Sequence, residues 1–222
     1  MNQKIKKMSV AAMLCALAFL SVFVFRIKVQ FLTYDVKDAI LAIASLILGP
    51  VYGVASAAVV TLIEFLTVSE TGVYGLIMNF ASSGTFALTC GLIYRFRRTY
   101  GGAVAANLSS VFSVTAVMML MNLWITPVFM GAPRQAVIDM IPSLLLPFNL
   151  LKAGMNAAIT LAIYKPFVTG LRKAHLLPDE GGDAYRFNKR SVVTIVLSAL
   201  AAAVILVVML VVMNGQFQWL KG

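Results

Sequence analysis

The feature that most constrains this chain is a succession of long apolar runs nearly free of charge. They fall at about residues 8–25, 38–48, 51–66, 73–94, 103–125, 147–169 and 191–213. A helix that crosses the hydrocarbon core of a bilayer needs about 20 mostly apolar residues. Most of the runs meet that length; the second and third are shorter and share the turn Gly49-Pro50. They are too uniform for the alternating strands of a membrane barrel, and a helix satisfies its own backbone groups in lipid. The expected fold is therefore an all-α integral membrane protein with seven spans. Composition agrees: 61% of residues are hydrophobic and 12% charged, against roughly 25% charged in a soluble domain. Too little polar surface remains to cover a soluble core.

The net charge of +10 reads as topology rather than as a nucleic-acid surface. Lys4, Lys6 and Lys7 precede the first run. Arg95, Arg97 and Arg98 follow the fourth, and Lys165, Arg172, Lys173, Arg186, Lys189 and Arg190 gather after the sixth. The opposite side holds only Arg26, Lys28, Lys37, Arg134 and Lys221. Basic loops stay in the cytoplasm, which predicts a cytoplasmic N-terminus and an external C-terminus in the plasma membrane. Trp124 and Trp219 then fall at outer interfaces, where aromatic belts form. The first run has no small-residue cleavage site after it and reads as a retained span, not a signal peptide.

Little in the chain suggests catalysis. The only histidine, His175, lies in a polar stretch, and Cys15 and Cys90 sit in apolar runs without metal-ligand spacing. No Gly-rich phosphate loop is present, so the chain carries no nucleotide-hydrolysing engine of its own. Glu64 and Glu70 lie toward the outer end of the third run and the loop after it, and no cluster of membrane carboxylates is expected.

Polar side chains at membrane depth are costly and tend to face a cavity or a partner. Lys152 stands out in Leu146-Pro-Phe-Asn-Leu-Leu-Lys152, with Pro147 suited to a first helical turn. Asn149 and Lys152 are i, i+3 neighbours, and Asn156 and Thr160 continue the same face inward. Two readings stand for Lys152: a snorkelling surface lysine with Asn149 as a cap, or part of an interior polar stripe. Asn122, before Trp124 and Pro127, and Asn79, with Ser82 and Ser83, either join helices by hydrogen bonds or line a site. Ala12-x-x-x-Ala16 permits close helix approach, inside the molecule or against another.

Four strings resemble a known family: Phe31-Leu-Thr-Tyr-Asp-Val-Lys-Asp38 leading to Leu48-Gly-Pro-Val-Tyr-Gly53, Met78-Asn-Phe-Ala-Ser82, Met121-Asn-Leu-Trp-Ile-Thr-Pro127, and the string ending in Lys152. With the alanine motif they span about residues 8–168 and resemble the substrate-binding S components of energy-coupling factor (ECF) vitamin transporters, the riboflavin-specific type above all. The resemblance implies a six-helix S-component bundle with both ends in the cytoplasm. It also implies an outward pocket closed by the loop at about 27–36, which holds Gln30, Thr33, Tyr34 and Asp35. It implies flavin contacts from Asn122, Asn149 and Lys152, to which Asn79 and Tyr34 are added as candidates. Ala12 and Ala16 would dock on a transmembrane coupling subunit served by two ATP-binding-cassette ATPases. Riboflavin is cargo in this scheme, and no resident cofactor or metal is expected. The chain departs from the pattern after residues 1–169. A polar stretch, 170–190, leads to an additional C-terminal transmembrane helix and short external tail within 191–222. Competing expectations are an S component for another vitamin such as a thiamine precursor, an autonomous secondary transporter, and a Ser/Lys intramembrane hydrolase. The hydrolase lacks a serine beside Lys152 on its face.

Overall fold

Eight helices and three short strands make up the computed structural model, which describes residues 3–174, 176, 189–212 and 217–218. His175, Trp219, most of the expected linker and most of the external tail lie outside the described residues. In chain order the elements are α1 (Gln3–Val24), β1 (Ile27–Val29), β2 (Leu32–Tyr34), α2 (Lys37–Leu48), α3 (Pro50–Thr67) and α4 (Gly72–Phe96). They continue with α5 (Tyr100–Met130), α6 (Arg134–Met140), a π turn (Ile141–Leu145), α7 (Leu146–Lys173), α8 (Lys189–Val212) and β3 (Phe217–Gln218). Five helical stretches are long and apolar enough to span a membrane; the described part of α8 adds a shorter apolar segment, 195–208.

The helices bury narrow stripes and leave broad apolar surfaces outward, as lipid-facing helices must. On α1 the buried residues are Val10, Leu14, Ala18 and Val22, one every fourth position. Leu20, Phe23, Leu62, Phe112 and Leu120 remain exposed on their helices. The short second run is the exception. With 12 residues, α2 is about 18 Å long, shorter than the usual span of about 20 residues. It sits in the middle of the bundle against α1, α3, α4 and α7, with nearly every residue buried. A helix apolar on all sides is stable only when surrounded. Gly49 (φ +104°) turns the chain between α2 and α3, and Pro50 opens α3, where its missing donor costs nothing. Gly91 and Gly53 lie so close to Ser45 that no Cβ would fit at either position, which lets α2, α3 and α4 meet at backbone distance.

Two boundaries differ from expectation. The fifth span extends to Tyr100–Met130, capped by Thr99 Oγ1 accepting from the Gly102 N–H at 3.1 Å. The sixth begins far earlier than 147, because 134–173 is one continuous helical stretch of 40 residues. Pro147 is therefore not at a free helix start. It has no N–H and its ring collides with a carbonyl one turn back. The helix widens into a π turn just before it, where the Leu146 N–H bonds the Ile141 carbonyl.

The segment between α1 and α2 is a hairpin rather than an irregular loop. Ile27, Lys28 and Val29 pair with Tyr34, Thr33 and Leu32, and Gln30 takes the left-handed conformation (φ +54°) at the turn. Val29 and Tyr34 pack on Leu144, Phe148 and Met155, joined by Ala202 and Ile205 of α8. The last strand, β3, adds to the other edge of β1, opposing Lys28 to Gln218 and Val29 to Phe217.

Candidate functional site

Polar side chains of three helices converge beneath the hairpin. A cavity of about 100 Å³ opens there. Asn79 and Ser82 of α4, Asn122 and Thr126 of α5, and Asn149 and Lys152 of α7 line it, with Thr33 of the hairpin above. Much of the remaining lining is aromatic or sulfur-bearing: Phe31, Tyr74, Met78, Met118, Phe129 and Phe148. A mostly apolar pocket with a few placed polar groups is the usual form of a small-molecule site.

Each polar residue is held by its own helix. The Asn122 amide donates to the Met118 carbonyl at 2.7 Å and its Oδ1 accepts from Thr126 Oγ1 at 2.8 Å. Asn149 donates to the Leu145 carbonyl at 2.8 Å. An asparagine nitrogen has two N–H groups and its oxygen two lone pairs, so both keep a donor and an acceptor after these local bonds. Lys152 Nζ donates to the Thr33 carbonyl and to Asp35 Oδ2, both at 3.0 Å. A lysine has three donors, leaving one for the cavity. Lys152 is thus interior and not a snorkelling residue: it joins the cavity floor to the hairpin.

Of the candidates read from sequence, Asn79, Asn122, Asn149 and Lys152 are brought to one cavity. Tyr34 is not; it does not line the cavity and is buried beside Leu144 and Phe148. The inward polar stripe of α7 also divides. Asn156 Oδ1 accepts from the Ala39 N–H at 2.9 Å while its amide donates to the Asp35 carbonyl at 3.0 Å. Thr160 Oγ1 donates to the Ala39 carbonyl at 3.3 Å. These two residues clamp the start of α2 rather than face the cavity. Ala12 and Ala16 stand exposed on the outward face of α1, opposite its buried stripe.

No carboxylate cluster was expected, and here the structure differs. Asp35, Asp38 and Glu64 are all buried at the hairpin end, together with Lys37 and Lys152. Lys37 Nζ lies 2.7 Å from Glu64 Oε2 and 3.4 Å from Asp35 Oδ2. Asp38 accepts from Ser83 and, at 3.5 Å, from Ser82. Lys37, counted by sequence among the basic residues of the outer side, is 1% exposed. The pairing partners are 27 and 117 residues apart in sequence, so local pattern could not join them. The string Asp35-Val36-Lys37-Asp38 ahead of an all-buried helix was the available signal. On the rim, Lys28 Nζ meets Glu70 Oε1 at 2.6 Å and Arg26 donates to the Val68 carbonyl at 3.1 Å, tying the hairpin to the α3–α4 loop. The Lys28 hydrogen bond and charge hold the Glu70 carboxyl below its ordinary range.

Residues 6–164 match the sequence profile of the ECF transporter substrate-specific component, and the chain belongs to that family. It is a multi-pass membrane transport protein of the class that works with ECF coupling and ATPase modules. It is 27% identical over 188 residues to the riboflavin transporter FmnP of Bacillus subtilis (strain 168), covering 78% of this chain and 99% of that protein. It is 26% identical over 183 residues to the riboflavin transporter RibU of Staphylococcus aureus (strain TCH60), covering 77% of this chain and 95% of that one. A solved structure described as the S component of a bacterial ECF transporter superposes with a TM-score of 0.65 at 24% identity, over 76% of this chain and 99% of that one. The family match ends within α7, so α8 and β3 lie beyond it.

Proposed function

We propose that this chain is the riboflavin-binding subunit of an ECF-type uptake system, and that residues 1–169 form the binding unit. The observation that carries the reading is the convergence of Asn79, Asn122, Asn149 and Lys152 on one aromatic-lined cavity beneath a hairpin. The pyrimidine edge of a flavin alternates carbonyl acceptors with an N–H donor. Asparagine amides answer both kinds of group, and the remaining Lys152 donor suits a carbonyl. Phe148, Phe129 and the methionines suit the flat ring. At about 100 Å³ the cavity lies below the 300–1,000 Å³ usual for such ligands, so the hairpin must lift for the ring to enter. Lys152, bonded to Thr33 and Asp35, senses both events.

The basic clusters favour a cytoplasmic N-terminus and an outer hairpin. Riboflavin is then captured from outside, and the energy for import comes from a transmembrane coupling subunit and two ATP-binding-cassette ATPases. The exposed Ala12–Ala16 face of α1 supplies a smooth surface for the coupling subunit.

The test is purification in detergent followed by an absorbance spectrum and fluorescence titration. The protein is expected to retain flavin. Leaving a buried ligand group unpaired costs roughly 1–3 kcal/mol, so Asn149→Ala and Lys152→Ala should each weaken riboflavin binding by about tenfold or more. Unchanged affinity in both variants would sink the assignment. Replacing Ala12 and Ala16 together by Trp should abolish uptake in cells while leaving riboflavin affinity within about twofold, since neither residue touches the cavity. Loss of binding in that variant would overturn the docking role.

A further inference from the structure

The second large cavity lies at the opposite end of the bundle, away from the hairpin. It measures about 440 Å³ and is walled by the start of α1, the α2–α3 turn, the end of α4 and the end of α7. Four cationic side chains line it, Lys7, Arg95, Arg98 and Arg172, and no carboxylate among the described residues does. A cation at a helix C-terminus complements the dipole, which accounts for Arg95 and Arg172 one at a time. It does not account for their convergence with Lys7 and Arg98 on one hollow. The first turn of α3 forms the remaining wall, through Gly49, Pro50, Val51 and Tyr52. The amides of Val51 and Tyr52 belong to the first helical turn, where no helical carbonyl can take them. All the charged side chains that line this hollow among the described residues are cationic, and it sits on the chain's Gly49-Pro50 turn rather than on a projecting loop.

We propose that this cavity binds a phosphate group, that of an anionic phospholipid headgroup. Arginines grip phosphate oxygens by paired donors, and basic pockets between membrane helices take anionic headgroups. The rim favours a lipid over a soluble phosphate ester. Val51, which lines the cavity, is 79% exposed, and Met8 and Phe96, next in sequence to Lys7 and Arg95, are 64% and 87% exposed. Those side chains offer apolar surface to acyl chains while the cations hold the headgroup. The site is independent of the riboflavin cavity and does not rest on it.

The experiment uses the full chain in detergent and measures, by native mass spectrometry, retention of phosphatidylglycerol against phosphatidylcholine. Wild type should prefer phosphatidylglycerol by about tenfold or more, the scale set by several cations near a headgroup. Lys7→Gln with Arg95→Gln should abolish that preference. Lys6→Gln with Arg97→Gln removes the same charge from neighbouring positions that do not line the cavity and should leave it intact. Should the first double variant fail to fold, Arg95→Gln alone, at an exposed position, should lower the preference about threefold to tenfold. Equal loss in both double variants would overturn the site in favour of diffuse attraction, as would an absence of preference in wild type. Displacement of the lipid by an equal concentration of glycerol phosphate would overturn the lipid assignment.

Discussion

The two ends of this bundle handle charge in opposite ways. At the hairpin end, Asp35, Asp38 and Glu64 are buried with Lys37 and Lys152, and each carboxylate meets an ammonium or a serine hydroxyl. At the other end, Lys7, Arg95, Arg98 and Arg172 surround a cavity without a described carboxylate. The first arrangement is closed on itself and joins a hairpin to the helices below. The second gathers cations around a hollow at the other end of the bundle. A buried ion pair adds little net stability over an apolar pair, yet losing one partner is costly because the other charge stays behind. The hairpin end should therefore be intolerant of single changes and the opposite end tolerant of them.

The largest expected effect tests that contrast directly. Lys37→Ala leaves Glu64 and part of the Asp35 charge buried without their ammonium and should lower stability by about 3–5 kcal/mol, read as thermal unfolding in detergent. Adding Glu64→Ala should recover a substantial part of the loss. Arg95→Gln, at the exposed end, should shift stability by no more than about 0.5 kcal/mol. Comparable losses from Lys37→Ala and Arg95→Gln would break the comparison.

A middle-sized effect separates holding the hairpin from holding a ligand. Asn156→Ala removes the partners of the Ala39 N–H and the Asp35 carbonyl and should cost about 1–3 kcal/mol of stability. Its effect on riboflavin affinity should be smaller than that of Lys152→Ala, because Asn156 does not line the cavity. A larger affinity loss in Asn156→Ala would mean that the clamp on α2, and not the cavity lining, sets recognition.

The smallest effect lies on the rim. The Lys28 pair keeps the Glu70 carboxyl ionised below its ordinary value of 4.5. A group with a lowered folded value stabilises fully above its ordinary value and loses that contribution as pH falls below it. Because Glu70 is exposed, the effect is modest and screened by salt. A fluorophore attached at Thr33→Cys at neutral pH should report slightly greater hairpin mobility, as lower anisotropy, when pH then drops below 4.5, and Glu70→Gln should remove that change while leaving neutral-pH folding intact. A pH response that persists in Glu70→Gln would place the titrating group elsewhere on the hairpin.

The sequence by itself determined the membrane class, the helices and several polar cavity residues. Hydrocarbon sets a minimum apolar run length and penalises any polar side chain within it, so long runs and the exceptions Asn122, Asn149 and Lys152 are visible one residue at a time. The alanines of α1 were legible as small residues, but only packing shows them turned outward. The tertiary structure decided what no local pattern carries. Lys37 read only as one of the outer-side charges because its partners, Glu64 and Asp35, reach it only when the 12-residue α2 is wrapped by its neighbours. Tyr34 belonged to a promising string, yet hairpin pairing turns it into the apolar cluster beside Phe148. Asn156 and Thr160 share a face with Lys152, but the start of α2 lies against that face and claims them. Pairing and enclosure depend on residues distant in sequence, and only the packed bundle brings those distances to zero.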